Sequence, residues 1–228
     1  SSKTMSMIFG ADSAFPSNTR LTNGYTLFDW VMRKNCFPAF WGRNILGENS
    51  IEEEEINFLK DKNCKIALII NHLSEVDLSK ASGEADAIEA AEAAKKLNIP
   101  ADGSSALFID IRDDWTVNHN WMISFANALK DKGYIPGFIG NTDSSKNFNF
   151  NRQCGHYVNA TKDINEYGAI YWATEPKIDV EPTIWCPFFP SDFTADKISI
   201  WRTSSVSVSN VSANTNYARD YSVLKYFV

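Results

Sequence analysis

The segment Ala106-Leu107-Phe108-Ile109-Asp110-Ile111-Arg112-Asp113-Asp114 joins a short apolar run to a cluster of charges. Four consecutive apolar residues between polar flanks are typical of a strand that is buried on both faces of a parallel sheet. An ionised aspartate is costly to bury unless it is paired or reaches solvent. We therefore predict that Asp110 lies at the open end of a strand, where the strand leads into a cleft.

Apolar runs alternate with amphipathic stretches along most of the chain. Strands are predicted at residues 7–11, 37–41, 65–70, 106–111, 134–139, 169–173, 183–189 and 198–202. Helices are predicted at residues 24–34, 50–62, 82–97, 118–132 and 159–167, the second of them opened by a capping-box pattern of Ser50 and Glu53. Residues 203–216 are rich in Ser and Asn and are predicted to form a loop.

This alternation favours the α/β class and a parallel sheet that is covered by helices. About eight strands in a chain of 228 residues suit a closed (β/α)₈ TIM-type barrel, with a less regular second half. A doubly wound open sheet is the alternative, but it usually carries a Gly-rich phosphate loop after its first strand. The segment from Gly10 to Pro16 lacks that pattern. With no repeat or linker in the sequence, we predict one domain over residues 1–228.

Composition excludes several classes of function. The net charge is −6 and no basic patch is present, which argues against a nucleic-acid partner. No apolar run approaches the roughly 20 residues of a membrane span, and the first residues lack the apolar core of a signal peptide. The cysteines and histidines do not have the spacing of metal ligands, so we predict no metal and no cofactor. A phosphate-handling barrel enzyme would need a Gly-rich loop late in the chain, and residues 203–216 contain no Gly.

The active site of a TIM barrel lies at the carboxyl ends of its strands. Polar residues follow the predicted strands, and aromatic residues lie beside them. The polar set is Asp12, Arg43, Asn71, His72, Asp110, Arg112, Asn141, Glu175 and Arg202; the aromatic set is Trp41, Tyr171, Trp172, Trp185 and Trp201. Sugar faces stack on aromatic rings, and carboxylates bind hydroxyls or act on the glycosidic oxygen. The pattern therefore indicates a glycan-binding cleft.

Each of these residues also has a structural interpretation. Asp12 could cap a turn, Asp110 and Arg112 could form an ion pair, and Glu175 could be a solvated loop residue. The tryptophans could all belong to the core. The sequence leaves these alternatives open.

Several segments, in this order, resemble a known group of proteins. Gly10-Ala11-Asp12 resembles the first strand of family-25 glycoside hydrolases, the lysozyme-type muramidases. It resembles more closely the related glycoside-hydrolase-like barrels named domain of unknown function 1906. The later segments that resemble this second family are Gly83-Glu84-Ala85-Asp86-Ala87, Leu107-Phe108-Ile109-Asp110, residues 132–140, Tyr171-Trp172-Ala173 and Ile200-Trp201-Arg202. The resemblance implies a barrel with a glycan-directed cleft and an extracellular or cell-envelope location.

The resemblance also implies a departure at the catalytic position. In the muramidases the fourth strand ends in Asp-x-Glu, and the Glu is the general acid; here the corresponding residues are Asp110 and Arg112. Residues i and i+2 share one face of a strand, about 6.6 Å apart. A guanidinium does not donate a proton at neutral pH. It is also expected to depress the pKa of Asp110, so the acid role is assigned to Glu175, with Asp113 and Asp114 as other candidates.

Two functions are consistent with these residues. The first is a glycoside hydrolase that acts on a polysaccharide such as bacterial cell-wall glycan. The second is a non-catalytic glycan-binding module on the same scaffold. The predicted catalytic residues are Asp12, Asp110 and Glu175, and the predicted substrate-binding residues are Arg43, Arg112, Asn71, Tyr171, Trp172, Trp201 and Asp220, the last of which resembles a late Asp of the muramidases.

Overall fold

The computed structural model describes residues 6–161 and 168–228. In these residues, eight strands close into one barrel in chain order. The strands are β1 (Ile8–Asp12), β2 (Phe40–Asn44), β3 (Lys65–Ile70), β4 (Ala106–Asp110), β5 (Ile135–Gly140), β6 (Ile170–Ala173), β7 (Ile198–Val208) and β8 (Val211–Ala218). The α-helices are α1 (Leu27–Lys34), α2 (Glu53–Asp61), α3 (Glu75–Leu78), α4 (Glu84–Lys96), α5 (His119–Asp131) and α6 (Asn149–Thr161). The prediction of an α/β barrel of the TIM type is confirmed.

The direction of the last strand departs from a fully parallel barrel. Strands β1 to β7 run parallel to one another, whereas β8 is antiparallel to both of its neighbours, β7 and β1. A short hairpin joins β7 to β8, with Ser209 in the left-handed region at φ 54°. The prediction of a loop at residues 203–216 is therefore wrong, because the serines alternate with Val206, Val208 and Val211 along a two-stranded ribbon.

Three other predictions differ from the structure. Residues 183–189 form no strand, although they are apolar enough to suggest one. Helix α2 begins at Glu53 without the capping box predicted for Ser50, since its N-cap is Glu52 and no side chain caps it. The helix predicted at residues 159–167 corresponds to the end of α6 up to Thr161, and residues 162–167 lie outside the described residues.

The barrel interior is filled by alternate residues of each strand. Inward-facing side chains form one apolar cluster, which includes Phe40, Ile69, Phe108, Ile139 and Trp172. A Cβ at Gly10 would lie 2.3 Å from the ring of Phe40, so this position of β1 has room for no side chain. The two-residue period of a strand then brings the residues that follow this packed layer to the upper rim of the barrel.

Arg43 belongs to the other face of β2. Its guanidinium is fully buried between the barrel and α2, where Nε lies 2.8 Å from Oε2 of Glu55. Its other nitrogens donate to the carbonyls of Ser13, Ala14 and Asn49 and to the side chain of Asn44. The predicted role of Arg43 in substrate binding is therefore revised: its donors are consumed by protein groups, and the neighbouring Asn44 takes the inward position.

Glu55 is the acceptor that holds this arrangement together. Besides Arg43, its Oε2 accepts hydrogen bonds from the backbone and the hydroxyl of Ser17, each at 2.8 Å. The pair thus connects β2, α2 and the loop that follows β1. Buried ion pairs are costly to break because the remaining charge has no partner.

We expect Glu55→Ala to lower the free energy of unfolding by about 3–5 kcal/mol, since it leaves the buried Arg43 charge unpaired. Denaturant unfolding at neutral pH measures this loss. Glu53→Ala, an exposed glutamate of the same helix, is the matched control and should change stability little. Equal stability of the two variants would contradict a structural role for the pair.

Candidate functional site

A polar cavity of about 210 Å³ opens at the carboxyl ends of the parallel strands. Inward-facing residues that follow the apolar layer along each strand lie close together here. The lining residues are Asp12, Ser13, Ala14, Asn44, Ile69, Asn71, Asp110, Arg112, Trp115, Arg202 and Asn214. The structure therefore brings Asp12 and Asp110 together, along with the predicted residues Asn71 and Arg112.

Asp12 is held by four hydrogen bonds. Arg202 of β7 donates from Nε and Nη2 to the two carboxylate oxygens, at 3.1 and 3.0 Å. The side-chain amides of Asn214 and Asn216 on β8 donate at 3.0 and 2.7 Å. Asp12 is only 5% exposed, so these bonds replace its hydration. A carboxylate with this many donors is fixed in place and compensated in charge.

Asp110 is the contrasting carboxylate of the cavity. Its side chain makes no hydrogen bond or ion pair with any residue that the structure describes. Burial raises the pKa of Asp110 above its usual value, with the charges of Asp12 and Asp113 acting in the same direction. Arg202 and Arg112 oppose the shift without cancelling it. The predicted lowering of this pKa by Arg112 is therefore present, but the net shift is upward because the loss of hydration outweighs the nearby positive charges.

Arg112 and Asn71 lie at the mouth of the cavity, and both are exposed. Trp115 lies beside them and is partly exposed; its backbone N–H donates to the carbonyl of Arg112 at 3.1 Å, which closes a turn after β4. This turn holds a guanidinium and an indole ring at the same rim. The mouth therefore offers polar donors together with an aromatic face.

The other predicted aromatic residues are packed inside the protein. Tyr171, Trp172 and Trp201 are each at most 1% exposed. The indole N–H of Trp172 donates to Asn216 at 2.9 Å, and that of Trp201 donates to the carbonyl of Pro176 at 2.9 Å. Their predicted role as sugar platforms is revised, because buried rings present no face to a ligand. Trp172 instead lies under Arg202, whose guanidinium carbon is 5.9 Å from its ring centre.

Glu175 lies in the loop after β6, outside the cavity lining. Its Oε2 accepts a hydrogen bond from the backbone N–H of Lys177 at 2.9 Å, and its Oε1 lies 3.9 Å from Nζ of the same lysine. Burial lowers the pKa of Lys177, which also interacts with the charges of Glu175, Arg202 and Asp12. Glu175 is therefore near the cavity mouth, but it is paired with Lys177 and is not directed at the cavity.

Asp220 is at the opposite end of the barrel. Because β8 is antiparallel, the residues after Ala218 lie beside Ile8, at the amino end of β1. There the Asp220 side chain accepts hydrogen bonds from the N–H of Ser222 at 2.9 Å and from Arg219 at 3.1 Å. Hydrogen bonds from Ser222 and Arg219 lower the pKa of Asp220, although burial opposes this as the largest single effect. Its predicted role in substrate binding is revised to that of a cap for a 3-10 turn.

Sequence reasoning missed Trp115, Asn44 and Asn214 as cavity residues. The Ser- and Asn-rich composition predicts a loop at Asn214, although the alternation of small apolar and polar residues from Val206 to Ala218 is typical of a hairpin. Asn44 differs by one residue from the predicted Arg43. Among the described residues, no group of three or more His, Cys, Asp or Glu side chains could hold a metal ion.

Comparison with known proteins finds likeness in structure alone. No family model and no curated protein sequence matches the chain. An uncharacterized protein of B. stearothermophilus matches with a TM-score of 0.74 and 24% identity, over 97% of this chain and 100% of that one.

Two further bacterial proteins match with lower TM-scores. A Tat-secreted protein of Mycobacterium tuberculosis, crystallised with L-tartrate, matches with a TM-score of 0.58 and 14% identity over 93% of this chain and 96% of that one. The lysozyme of Streptomyces coelicolor matches with a TM-score of 0.55 and 12% identity over 96% of each chain. The chain therefore has the barrel fold of the lysozyme-type glycoside hydrolases and of the muramidase-like structures related to them.

Proposed function

We propose that this protein binds a glycan in the cavity between Asp12 and Asp110. The observation that carries the proposal is the free carboxyl group of Asp110. It lines the cavity without a hydrogen-bond partner in the described residues, next to a second carboxylate that is fully bonded. A carboxyl that faces a cavity without a protein partner can accept hydrogen bonds from a ligand that enters it.

The composition of the rim supports a sugar as that ligand. Asp110 accepts hydrogen bonds, Arg112 donates them, and Asn71 does both, which suits a ring that carries several hydroxyls. Trp115 adds an aromatic face on which an apolar sugar face can stack. The volume of about 210 Å³ is below the about 300–1,000 Å³ of drug-sized ligand sites. We infer that the cavity holds a single sugar unit, with the rest of a polysaccharide outside it.

Hydrolysis of the glycan is the second candidate function. It is favoured by the raised pKa of Asp110, since a carboxyl whose pKa lies above its ordinary value is better suited to act as a general acid. Asp110 thereby replaces Glu175 as the proposed proton donor. Against this candidate, both carboxylate oxygens of Asp12 are engaged by four donor atoms of Arg202, Asn214 and Asn216, so they are not free to attack a sugar or to activate a water. Binding is therefore the function that the geometry supports better.

A glycan-binding role is consistent with an extracellular or cell-envelope location, which we propose as well. The structural neighbours include a Tat-secreted protein and lysozymes. Within the described part of the chain, no helix has the length and apolar character required to cross a bilayer.

We expect Asp110→Asn to weaken glycan binding about tenfold, because a charge-assisted hydrogen bond is replaced by a neutral one. Co-sedimentation with insoluble peptidoglycan and calorimetry with soluble cell-wall and chitin oligosaccharides measure this loss. Asp131→Asn, at the exposed end of α5, is the matched control.

The same samples separate the two candidate functions. Release of new reducing ends by the wild type and its loss in Asp110→Asn would establish hydrolysis, whereas binding without release supports the binding role. If none of these glycans binds, or if the variant binds as well as the wild type, the assignment of Asp110 is wrong.

Replacement of the exposed indole should also weaken binding. We expect Trp115→Ala to reduce affinity by about 0.5–1.5 kcal/mol through loss of stacking. Quenching of tryptophan fluorescence by the glycan should disappear in the same variant. Trp115→Phe, which retains an aromatic face, should keep most of the affinity, and an unchanged affinity of the alanine variant would remove Trp115 from the site.

Asp110 should reduce stability at neutral pH. Its pKa in the folded protein is above the usual value of 3.8, so the folded state binds this proton more tightly than the unfolded state does. The resulting stability is complete below pH 3.8 and is lost as the pH rises through the folded pKa. We expect Asp110→Asn, which cannot ionise, to match the wild type near pH 3.5 and to be more stable at pH 7. Thermal melts of both proteins across this range test the sign, and a variant that is less stable at pH 7 would contradict it.

A further inference from the structure

Three arginines lie at or behind the cavity, and they differ in how far their donors are used. Arg43 is buried behind the cavity and bonded to Glu55 and to backbone carbonyls. Arg202 lies inside the cavity and is paired through two nitrogens with Asp12. Arg112 makes no side-chain hydrogen bond and no ion pair with any residue that the structure describes. Two of these positive charges are thus compensated within the protein, and the third is not.

The surroundings of Arg112 leave its donors unused. Arg112 follows Asp110 by two residues, and their charges interact, but no hydrogen bond or ion pair joins the two side chains in the described structure. The other acid at this rim, Asp113, accepts a hydrogen bond from Asn141 at 3.2 Å. The turn that bonds Trp115 to the carbonyl of Arg112 holds the backbone of this segment in place. The guanidinium therefore projects at the cavity mouth with its donors free.

We propose that Arg112 binds an oxyanion substituent of the sugar, so that the ligand of this cavity is an acidic glycan. This inference rests on the proposed glycan-binding function and narrows it. The planar guanidinium matches a carboxylate or a sulfate ester through two parallel hydrogen bonds. A hydroxyl of the same sugar unit then donates to Asp110. The acid and the hydroxyl engage two protein groups of opposite charge on one strand end, which also fixes the orientation of the ring.

The neighbouring charges do not provide an equivalent site. Lys177 is the other cation near the mouth, but its Nζ donates to the carbonyl of Thr174 and lies 3.9 Å from Glu175. Arg202 would have to give up Asp12 to bind an external anion. Arg112 is therefore the cation that can engage an anion without the loss of an existing bond in the described structure.

The test compares pairs of sugars that differ only in charge. The probes are trigalacturonate with its methyl ester, an N-acetylmuramic acid disaccharide with its methyl ester, and a sulfated trisaccharide with its desulfated parent. We expect the wild type to bind an acidic member about 10- to 100-fold more tightly than its neutral partner. The first two pairs report a carboxylate, and the third reports a sulfate ester.

Variants then assign the preference to a residue. Arg112→Gln should abolish the preference, because it lowers the affinity for the acidic sugar much more than the affinity for its neutral partner. Arg112→Lys should retain part of the preference, because it keeps the charge without the planar fork. Arg33→Gln, which removes an exposed charge from the end of α1, is the matched control and should behave as the wild type.

The outcomes separate this inference from the function on which it rests. If acidic and neutral sugars bind equally, Arg112 does not bind the anionic group, and the inference is wrong although the cavity is a glycan site. If the preference for the acidic sugar persists in Arg112→Gln, another cation binds the anionic group and the inference is overturned. If no sugar of either charge binds, the proposed function fails and this inference fails with it.

Discussion

The carboxylate of Asp12 is the constraint on which the upper half of the barrel depends. It closes the ring by joining the end of β1 to Arg202 on β7 and to two asparagines on β8. A buried carboxylate is tolerated only when its lost hydration is replaced, and four donors achieve this. The same bonds neutralise Arg202 and orient Asn214 towards the cavity. Because Asp12 is saturated in this way, Asp110 is left as the carboxyl of the cavity that can engage a ligand.

The antiparallel direction of β8 determines what each end of the barrel contains. At the upper end, it brings Asn214 and Asn216 opposite the end of β1. At the lower end, it leads into a 3-10 turn, Tyr221–Tyr226, after which Phe227 packs against Phe40 with ring centres 5.0 Å apart. The reversed direction of β8 therefore places the hydrogen-bond donors Asn214 and Asn216 at the cavity and the apolar Phe227 at the base of the barrel.

Much of the fold could be predicted from the sequence because buried strands appear as apolar runs. The runs that became β3, β4 and β5 were placed to within about two residues, and their polar ends identified Asp110. What could not be predicted is which of two adjacent residues faces inward, since a shift of one position moves a side chain to the other face. Arg43 and Trp201 were assigned to the rim for this reason, and both belong to the outer face of the barrel.

The sequence predicts the direction of the effect of Arg112 on the pKa of Asp110, but it does not predict the net shift. The sequence shows that positive charges are near, but it does not show how far the carboxyl is removed from water. In the structure, burial has the larger effect and raises the pKa despite Arg112 and Arg202. The extent of burial depends on the closure of the whole ring, to which residues from β1 to β8 contribute. The burial of the Asp110 carboxyl therefore cannot be predicted from a local segment of the sequence.

The chemistry of the site follows from the exchange of one residue type at the end of β4. In the muramidases that the sequence resembles, a Glu two residues after the strand-end Asp donates the proton; Arg112 stands at this position here. A guanidinium reverses the charge at this position, and it does not protonate a leaving group at neutral pH. Asp110 and the Asp12 pairing are unaffected by the exchange, because they depend on the barrel itself. On our proposal, this scaffold keeps a sugar-binding cavity and uses the Arg112 position for recognition of charge instead of catalysis.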